Sequence, residues 1–294
     1  MTSAYRRKPQ VLRSGMYRHL VVISVLALSA CARDTWPDPP AVDQAQYQKE
    51  HDSWREEQRQ GLSQVLSIIG LWTVNEGETP FGSDSTLPIA LPAAQFPARA
   101  GVVRRTGGDV TIVPEQKAGP VQLIVTSAGD NRRWLMAVDE SHPAVKSPPM
   151  LESYPLDSRW RVAARFDAFE KPKTVRVPDV RGGEMEFMAA GQLVFRVDGQ
   201  EMRLTAFGEP ESPDFFVMFK DPTNQSTTFR GYRILSPKVV KDDEWTVIDF
   251  NFAMNPPCAY SKYTTCPLPP PENKLPVAIE AGLKRLPSAQ GFSE

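Results

Sequence analysis

Residues 192–206, which read QLVFRVDGQEMRLTA, decide the fold class of this chain. Two apolar segments, 192–197 and 201–206, flank the turn residues Asp198, Gly199 and Gln200. An Asp-Gly pair between two such segments is the strongest short-range signal for a β-hairpin. The stretch therefore predicts two antiparallel strands.

Further strands are predicted on both sides of this hairpin. Short runs of β-branched and aromatic residues, separated by turn residues, are typical of a mostly antiparallel sheet or barrel. We place this unit at residues 148–294, after a break rich in proline. Its other strands are predicted at 161–166, 173–177, 185–188, 215–219, 229–235 and 245–250.

Residues 71–147 predict a small β-sandwich. A hairpin signal spans 102–113, and a second strand pair is predicted at 121–126 and 133–138. Residues 81–91 resemble the turn-and-strand texture of forkhead-associated domains. Those domains clamp a phosphate with an Arg where this chain has Ser83, so the resemblance implies a related sandwich without phosphopeptide binding.

Helices are predicted at both ends of the body. Within a helical segment at 43–70, residues 43–60 favour helix, Gly61 interrupts, and a short buried helix follows and ends at Gly70. A short final helix is predicted over 275–286. The predicted fold class is thus mainly β, a β-rich α+β chain with a helix near each end.

The N-terminus predicts a bacterial lipoprotein signal over residues 1–30. A basic stretch and a short apolar run, too short to span a bilayer, lead to Leu28-Ser-Ala-Cys31. This site resembles the lipobox, which implies that Cys31 is acylated, including with palmitate, and becomes the first mature residue. A plain secreted protein is the alternative, and the start lies at Met1 or Met16. Residues 31–42 are rich in proline and predict an extended tether.

The charge balance separates the signal from the body. Five of the 34 basic residues lie in the first 30 residues, which hold no acid, so 29 basic residues remain against 35 acidic ones, a net charge of −6. An acidic body without a basic cluster argues against a nucleic-acid partner. We expect the membrane to be its partner through the lipid anchor. The predicted location is the cell envelope, as an outer-membrane lipoprotein facing the periplasm.

Cys258 and Cys266 are predicted to form a disulfide. Their spacing differs from a CxxC redox or zinc motif, and an exported protein meets an oxidising compartment. A nucleophilic cysteine is the alternative. It would need a nearby base, and the mature chain has only His51 and His142 as histidines. No metal site or cofactor is expected.

A set of polar residues near the C-terminal strands is the candidate ligand pocket. Carboxylates, amides and an Arg at strand ends can bind a small polar ligand or perform acid–base chemistry. In the alternative interpretation, these side chains satisfy the backbone of a proline-rich tail that lacks strand partners. The set comprises Asp221, Arg233, Asp249, Asn251, Asn255, Tyr260, Glu272 and Asn273.

Three stretches resemble the bacterial domain-of-unknown-function family 1684 (DUF1684). They are 70–84 (GLWTVNEGETPFGSD), 249–258 (DFNFAMNPPC) and 265–282 (TCPLPPPENKLPVAIEAG). Residues 219–235 also resemble the family, although Arg230 and Tyr232 depart from its pattern. The resemblance covers about residues 45–286, with Phe252 and Met254 departing from the Arg and Tyr that are frequent in the family. It implies no mechanism.

The sequence leads to a lipid-anchored envelope protein that binds a ligand or maintains the envelope without catalysis. One alternative is a carboxylate-dependent hydrolase of a small polar substrate, using Asp221, Asp249 or Glu272. Another is a protein-interaction module that acts through the sandwich at 71–147. The protein partner and the oligomeric state stay open.

Overall fold

The structure, a computed structural model, describes residues 36–114, 117–127, 131–209, 215–237 and 245–287. The predicted signal segment, Cys31 and the start of the predicted tether lie outside the described residues. From Pro37 onward the chain belongs to one compact unit. No helix among the described residues has the length and apolar character needed to cross a membrane.

Helix α1, Gln44–Leu66, is a single helix of 23 residues. Asp43 caps it, its Oδ1 accepting a hydrogen bond of 2.8 Å from the Gln46 amide. The predicted interruption at Gly61 is wrong. Gly61 is exposed, and a Cβ atom added there would meet no neighbouring atom. The helix continues through this glycine, which costs about 1 kcal/mol relative to alanine. The predicted second helix is also wrong, since Ile68–Thr73 form strand β1, paired with a later strand.

Two four-stranded sheets follow and pack face to face. One sheet has the order β1-β8-β7-β6 and the other the order β3-β2-β4-β5. Their shared core contains Phe81, Val103 and Leu135, all fully buried. The strands are β2 (Gly77–Gly82), β3 (Ile89–Ala90), β4 (Gly101–Thr106), β5 (Asp109–Val113), β6 (Lys117–Ala118), β7 (Val121–Ser127) and β8 (Arg133–Asp139). A four-residue helix, α2 (Pro143–Lys146), ends this part of the chain.

A curved half-barrel sheet forms the second β unit, and it confirms the mainly β fold. Its order is β11-β10-β9-β14. The opening hairpin is present: Asp198 and Gly199 have φ of 50° and 79°, the left-handed pair of a tight two-residue turn. The strands are β9 (Arg161–Pro178), β10 (Glu184–Val197), β11 (Gln200–Phe207) and β14 (Thr246–Asp249), and a separate pair is formed by β12 (Val217–Phe219) and β13 (Arg233–Leu235).

Strands predicted as separate segments merge in this sheet. The segments 161–166 and 173–177 belong to the 18-residue β9, and 185–188 and 192–197 belong to the 14-residue β10. The pairing register shifts near Gly191, where a side chain would meet the Asp167 carbonyl oxygen at 2.5 Å. The glycine therefore permits a bulge and a bend without ending the strand.

The predicted C-terminal helix is wrong. Residues 275–287 contain no helix, and the end of the chain carries short 3-10 turns instead. Its amides bond to remote segments, for example Leu283 to the Ala253 carbonyl at 2.8 Å. Gly282 has φ of +76° and sits against the same carbonyl, a backbone state that helix excludes. The five 3-10 turns are Ser158–Trp160, Pro222–Gln225, Phe250–Phe252, Pro257–Ala259 and Pro271–Asn273.

Candidate functional site

Asp221 and Arg233 form a fully buried ion pair, 3.1 Å between Oδ1 and Nη2. Both also bond to the tail, and Asp221 accepts a further hydrogen bond from the Thr223 hydroxyl at 2.8 Å. Arg233 donates to the carbonyls of Ala281 and Ile279, the latter at 3.0 Å, and Asp221 accepts from the Ile279 amide at 2.6 Å. Burial lowers the pKa of Arg233, and the Asp221 carboxylate opposes that shift. The pair therefore fixes the irregular segment 279–281 to the sheet.

Asn273 and Asn255 hold the tail in the same manner. The buried Asn273 accepts from the Thr205 amide at 2.7 Å and donates to the carbonyls of Thr205 (3.0 Å) and Met218 (2.8 Å). Asn255 donates to the Lys284 carbonyl at 3.0 Å. These amides replace strand partners that a proline-rich segment lacks.

Asp249 and Asn251 join helix α1 to the end of β14. The Asp249 carboxylate accepts from the Tyr47 hydroxyl at 2.8 and 2.9 Å and lies 3.4 Å from Nε of Arg161. Asn251 Nδ2 donates to the Tyr47 hydroxyl at 3.0 Å. Its carbonyl lies 3.2 Å from Nε2 of the buried His51.

The sequence does not predict Tyr47 and His51 as site residues. Both lie on α1, about 200 residues away along the chain from the groups that they contact. The one available signal was their position on the helix face that also carries Trp54. Burial and the Asp249 charge raise the pKa of Tyr47, while burial lowers the pKa of His51.

The eight predicted pocket residues do not surround one cavity. Three of them line cavities, and each lines a different one. Asp249 borders a cavity of about 430 Å³ together with Trp54 and Phe252. The exposed Glu272 borders one of about 400 Å³, and Tyr260 one of about 300 Å³. The arrangement fits the alternative interpretation, in which most of this set holds the tail.

A different cleft lies beside the disulfide between Cys258 and Cys266, whose Cα atoms are 6.2 Å apart. Three parts of the chain line this cavity of about 390 Å³: the end of α1, the outer face of the β1-β8-β7 sheet and the loop after Pro257. We call it the loop cleft. Its lining residues are Gln64, Val65, Ile68, Leu71, Thr126, Ser127, Trp134, Met136, Pro257, Tyr263, Thr264 and Thr265.

Strand alternation explains how the sandwich supplies one wall of the loop cleft. Leu135 and Ala137 face the sandwich core, so Trp134 and Met136 point to the opposite face. Trp134 is only 4% exposed. Trp134 and Met136 are apolar at positions where a solvent-facing strand would carry polar residues. This pattern in the sequence indicates a second covered surface.

Arg181 holds the loop over this face. It donates to the carbonyls of Lys262 (2.7 Å) and Thr264 (3.5 Å), and its guanidinium lies 5.5 Å from the centre of the Trp134 ring. Arg132 pairs with the buried Asp179 and lies 5.3 Å from the centre of the same ring. Three parts of the fold thus meet at one tryptophan.

The described part of the chain contains no group of three or more His, Cys, Asp or Glu residues that could hold a metal ion. Cys31 falls outside the described residues.

Comparison with known proteins gives a family match and similar solved structures. No curated protein matches the chain. A solution NMR structure of an uncharacterised protein from Haloarcula marismortui is 29% identical, covers 47% of this chain and 78% of that one, and superposes with a TM-score of 0.40. The model of the family described as "Protein of unknown function (DUF1684)" matches residues 149–284, so the resemblance drawn over 45–286 is matched in its C-terminal part. Within this chain, the segment 149–284 carries the DUF1684 family pattern.

Proposed function

We propose that this protein is a lipid-anchored binding protein of a bacterial cell envelope, which holds a ligand in the loop cleft and performs no catalysis. Acyl chains on Cys31 would fasten it to the outer membrane, with the body facing the periplasm. The proline-rich stretch after Cys31 would hold the body away from the bilayer.

The observation that carries the non-catalytic part is the occupation of the polar side chains. Asp221 is fully buried and bonded to Arg233, Thr223 and the Ile279 amide. Asp249 is bonded to Tyr47 and Asn251. A general acid or base must reach the proton that it transfers, and these carboxylates are engaged in holding the fold. This favours binding over the carboxylate-dependent hydrolase.

The loop cleft supports the binding part. Ligand sites are concave, mostly apolar and often placed where structural units meet, with a few polar groups for orientation. The loop cleft has this composition and this position. By contrast, the exposed large apolar side chains of the described sandwich are Val113 and Ile124, on strands of different sheets, which speaks against a contiguous interaction patch.

Membrane fractionation of Cys31→Ser tests the anchor. The variant lacks the thiol that would carry the lipid, so it should leave the membrane fraction for the soluble one. Ser24→Ala, a change in the same apolar run that keeps Cys31, is the matched control and should stay with the membrane. A Cys31→Ser protein that still sediments with membranes would contradict the anchor.

Thermal shift with a metabolite library tests the binding role. The full chain should gain thermal stability with at least one metabolite, because a ligand that binds the folded state alone stabilises it by mass action. Release of product from the same metabolite over the course of the experiment would instead favour the hydrolase.

A further inference from the structure

We propose that the loop cleft takes a neutral saccharide, an uncharged ligand with an apolar ring face and hydroxyl edges. This rests on the proposed function, because it names the ligand class for the same site. Four features of the loop cleft carry it: an uncharged lining, apolar groups beside hydroxyl groups, an unpaired buried donor and an open rim.

The lining of the loop cleft is uncharged. None of its twelve residues is Asp, Glu, Lys, Arg or His, although the described surface nearby carries Arg132, Arg181 and Lys262. A ligand with a net charge would lose hydration in the loop cleft without gaining a counter-charge there. The lining therefore favours a neutral ligand.

Apolar side chains and hydroxyl groups lie beside one another in the loop cleft. Ile68, Leu71 and Met136 supply apolar surface, and Thr126 is paired across the strands with Trp134 on the same sheet. Thr126, Ser127 and Thr265 make no side-chain hydrogen bond among the described contacts. Sugar rings match this mixture, since their C–H face is apolar while their rim donates and accepts hydrogen bonds.

Trp134 supplies an independent sign of a missing polar partner. Trp134 lines the loop cleft. Its Nε1 is buried and has no hydrogen-bond acceptor in the described part of the structure. Buried indole N–H groups usually find an acceptor. Because the N–H is closed to solvent, a hydroxyl or ether oxygen of a bound sugar would provide an acceptor after a local shift of the ring.

An acyl chain is a poorer occupant of the loop cleft. It would leave the threonine hydroxyls and the Trp134 N–H without partners, at a desolvation cost. The loop cleft also opens to solvent at Ser127, which is exposed, so it offers a long chain no closed tunnel.

Saturation-transfer NMR of the sugar tests the ligand class. The full chain is extracted in a detergent without a sugar headgroup. The probes are glucose, N-acetylglucosamine and maltose, with glucuronate as the charged probe and 1-octanol as the apolar one. We expect a saturable signal from at least one neutral sugar and weaker or no signal from glucuronate and octanol.

Two pairs of variants place this signal in the loop cleft. Trp134→Phe removes the N–H and should weaken sugar binding about tenfold. Trp72→Phe, on the adjacent strand but in the sandwich core, should leave it unchanged. Thr265→Val removes a hydroxyl from the lining and should also weaken binding, whereas Thr111→Val, exposed on the other sheet, should not.

The outcomes separate this inference from the proposed function. Absence of signal from all three neutral sugars overturns the saccharide class. Sugar binding by Trp134→Phe and Thr265→Val that is as strong as that of the wild type also overturns it. If another metabolite binds and Thr265→Val abolishes that binding, the binding role stands while the saccharide class fails. If Trp134→Phe does not fold, the comparison of sugar binding by Thr265→Val and Thr111→Val decides whether the sugar binds in the loop cleft.

Discussion

Arg233 is the largest fully buried side chain among the described residues. A buried guanidinium needs a counter-charge and hydrogen-bond acceptors, and here Asp221 and two tail carbonyls engage its two Nη groups, while its Nε has no partner among the described residues. Because the two carbonyl partners lie on segment 279–281, the ion pair determines where the tail lies. Its role in this account is structural.

Asp221→Asn tests that role. The variant keeps the side-chain shape but leaves the Arg233 charge buried without a counter-charge, so the free energy of unfolding should fall by about 3–5 kcal/mol. Urea denaturation measures it. The matched change Glu186→Gln, which breaks the exposed pair with Arg176, should leave the midpoint unchanged. Equal midpoints for both variants would refute the tail-holding role.

His51 predicts a pH dependence of stability. Burial lowers the pKa of His51 below its ordinary value of about 6.5, so the folded state resists a proton that the unfolded state accepts. Stability from this group is complete above pH of about 6.5 and falls as the pH drops below it, by at most about 1.4 kcal/mol per pH unit.

Thermal unfolding between neutral and mildly acidic pH measures this slope. His51→Gln should flatten it, whereas His142→Gln retains His51 and should retain the wild-type slope. A slope that is unchanged in His51→Gln would show that other groups cause it.

Individual polar residues could be found from the sequence but not assigned partners. Asn251 is selected by its place on a predicted strand, and Asn273 by its place in the proline-rich tail that follows. Their partners are the Tyr47 hydroxyl and the backbone of Thr205 and Met218, which carry no sequence signal at such distances along the chain. The set was therefore assigned to one pocket although its members hold several segments.

At the scale of elements, α1 shows how tertiary contacts override a local signal. Gly61 suggested a break, but Leu62 on the following position is buried at 5% exposure and packs with Leu151 and Leu283. Packing of this kind stabilises a helix more than one glycine weakens it. The helix therefore runs to Leu66.

Gly61→Ala should stabilise the protein by about 0.5–1 kcal/mol, since alanine favours helix and its methyl group meets open space. Gly77→Ala also meets open space, but Gly77 has φ of +94°, so that variant should be less stable than the wild type. Chemical denaturation compares the two. A destabilised Gly61→Ala would mean that α1 is strained or ends at this position.

Elements with a strong local signal were predicted, and those built by remote contacts were not. The hairpin at Asp198-Gly199 and the strand pairs of the sandwich follow from turn residues and apolar runs. The end of the chain has helix-favouring residues over 275–286, yet its amides bond to Asp221, Ala253 and Glu152. No local pattern encodes such partners.

At the scale of the whole molecule, charge bears on how the body stays at a membrane. Without the first 30 residues the chain carries 29 basic and 35 acidic residues. An acidic body gains little from an anionic surface, so in our proposal the acyl chains hold it there. The body should then stay with membranes in a high-salt wash and leave in detergent. Release by salt alone would contradict a lipid anchor.

In our proposal the protein binds its ligand in the loop cleft and uses Asp249 to hold helix α1. The most direct measurement is the thermal shift given by the strongest library ligand in three forms of the full chain: wild type, Thr265→Val and Asp249→Asn. We predict that Thr265→Val gives a smaller shift than the wild type and that Asp249→Asn, though less stable, gives the full shift. Loss of the shift in Asp249→Asn with retention in Thr265→Val would contradict the account.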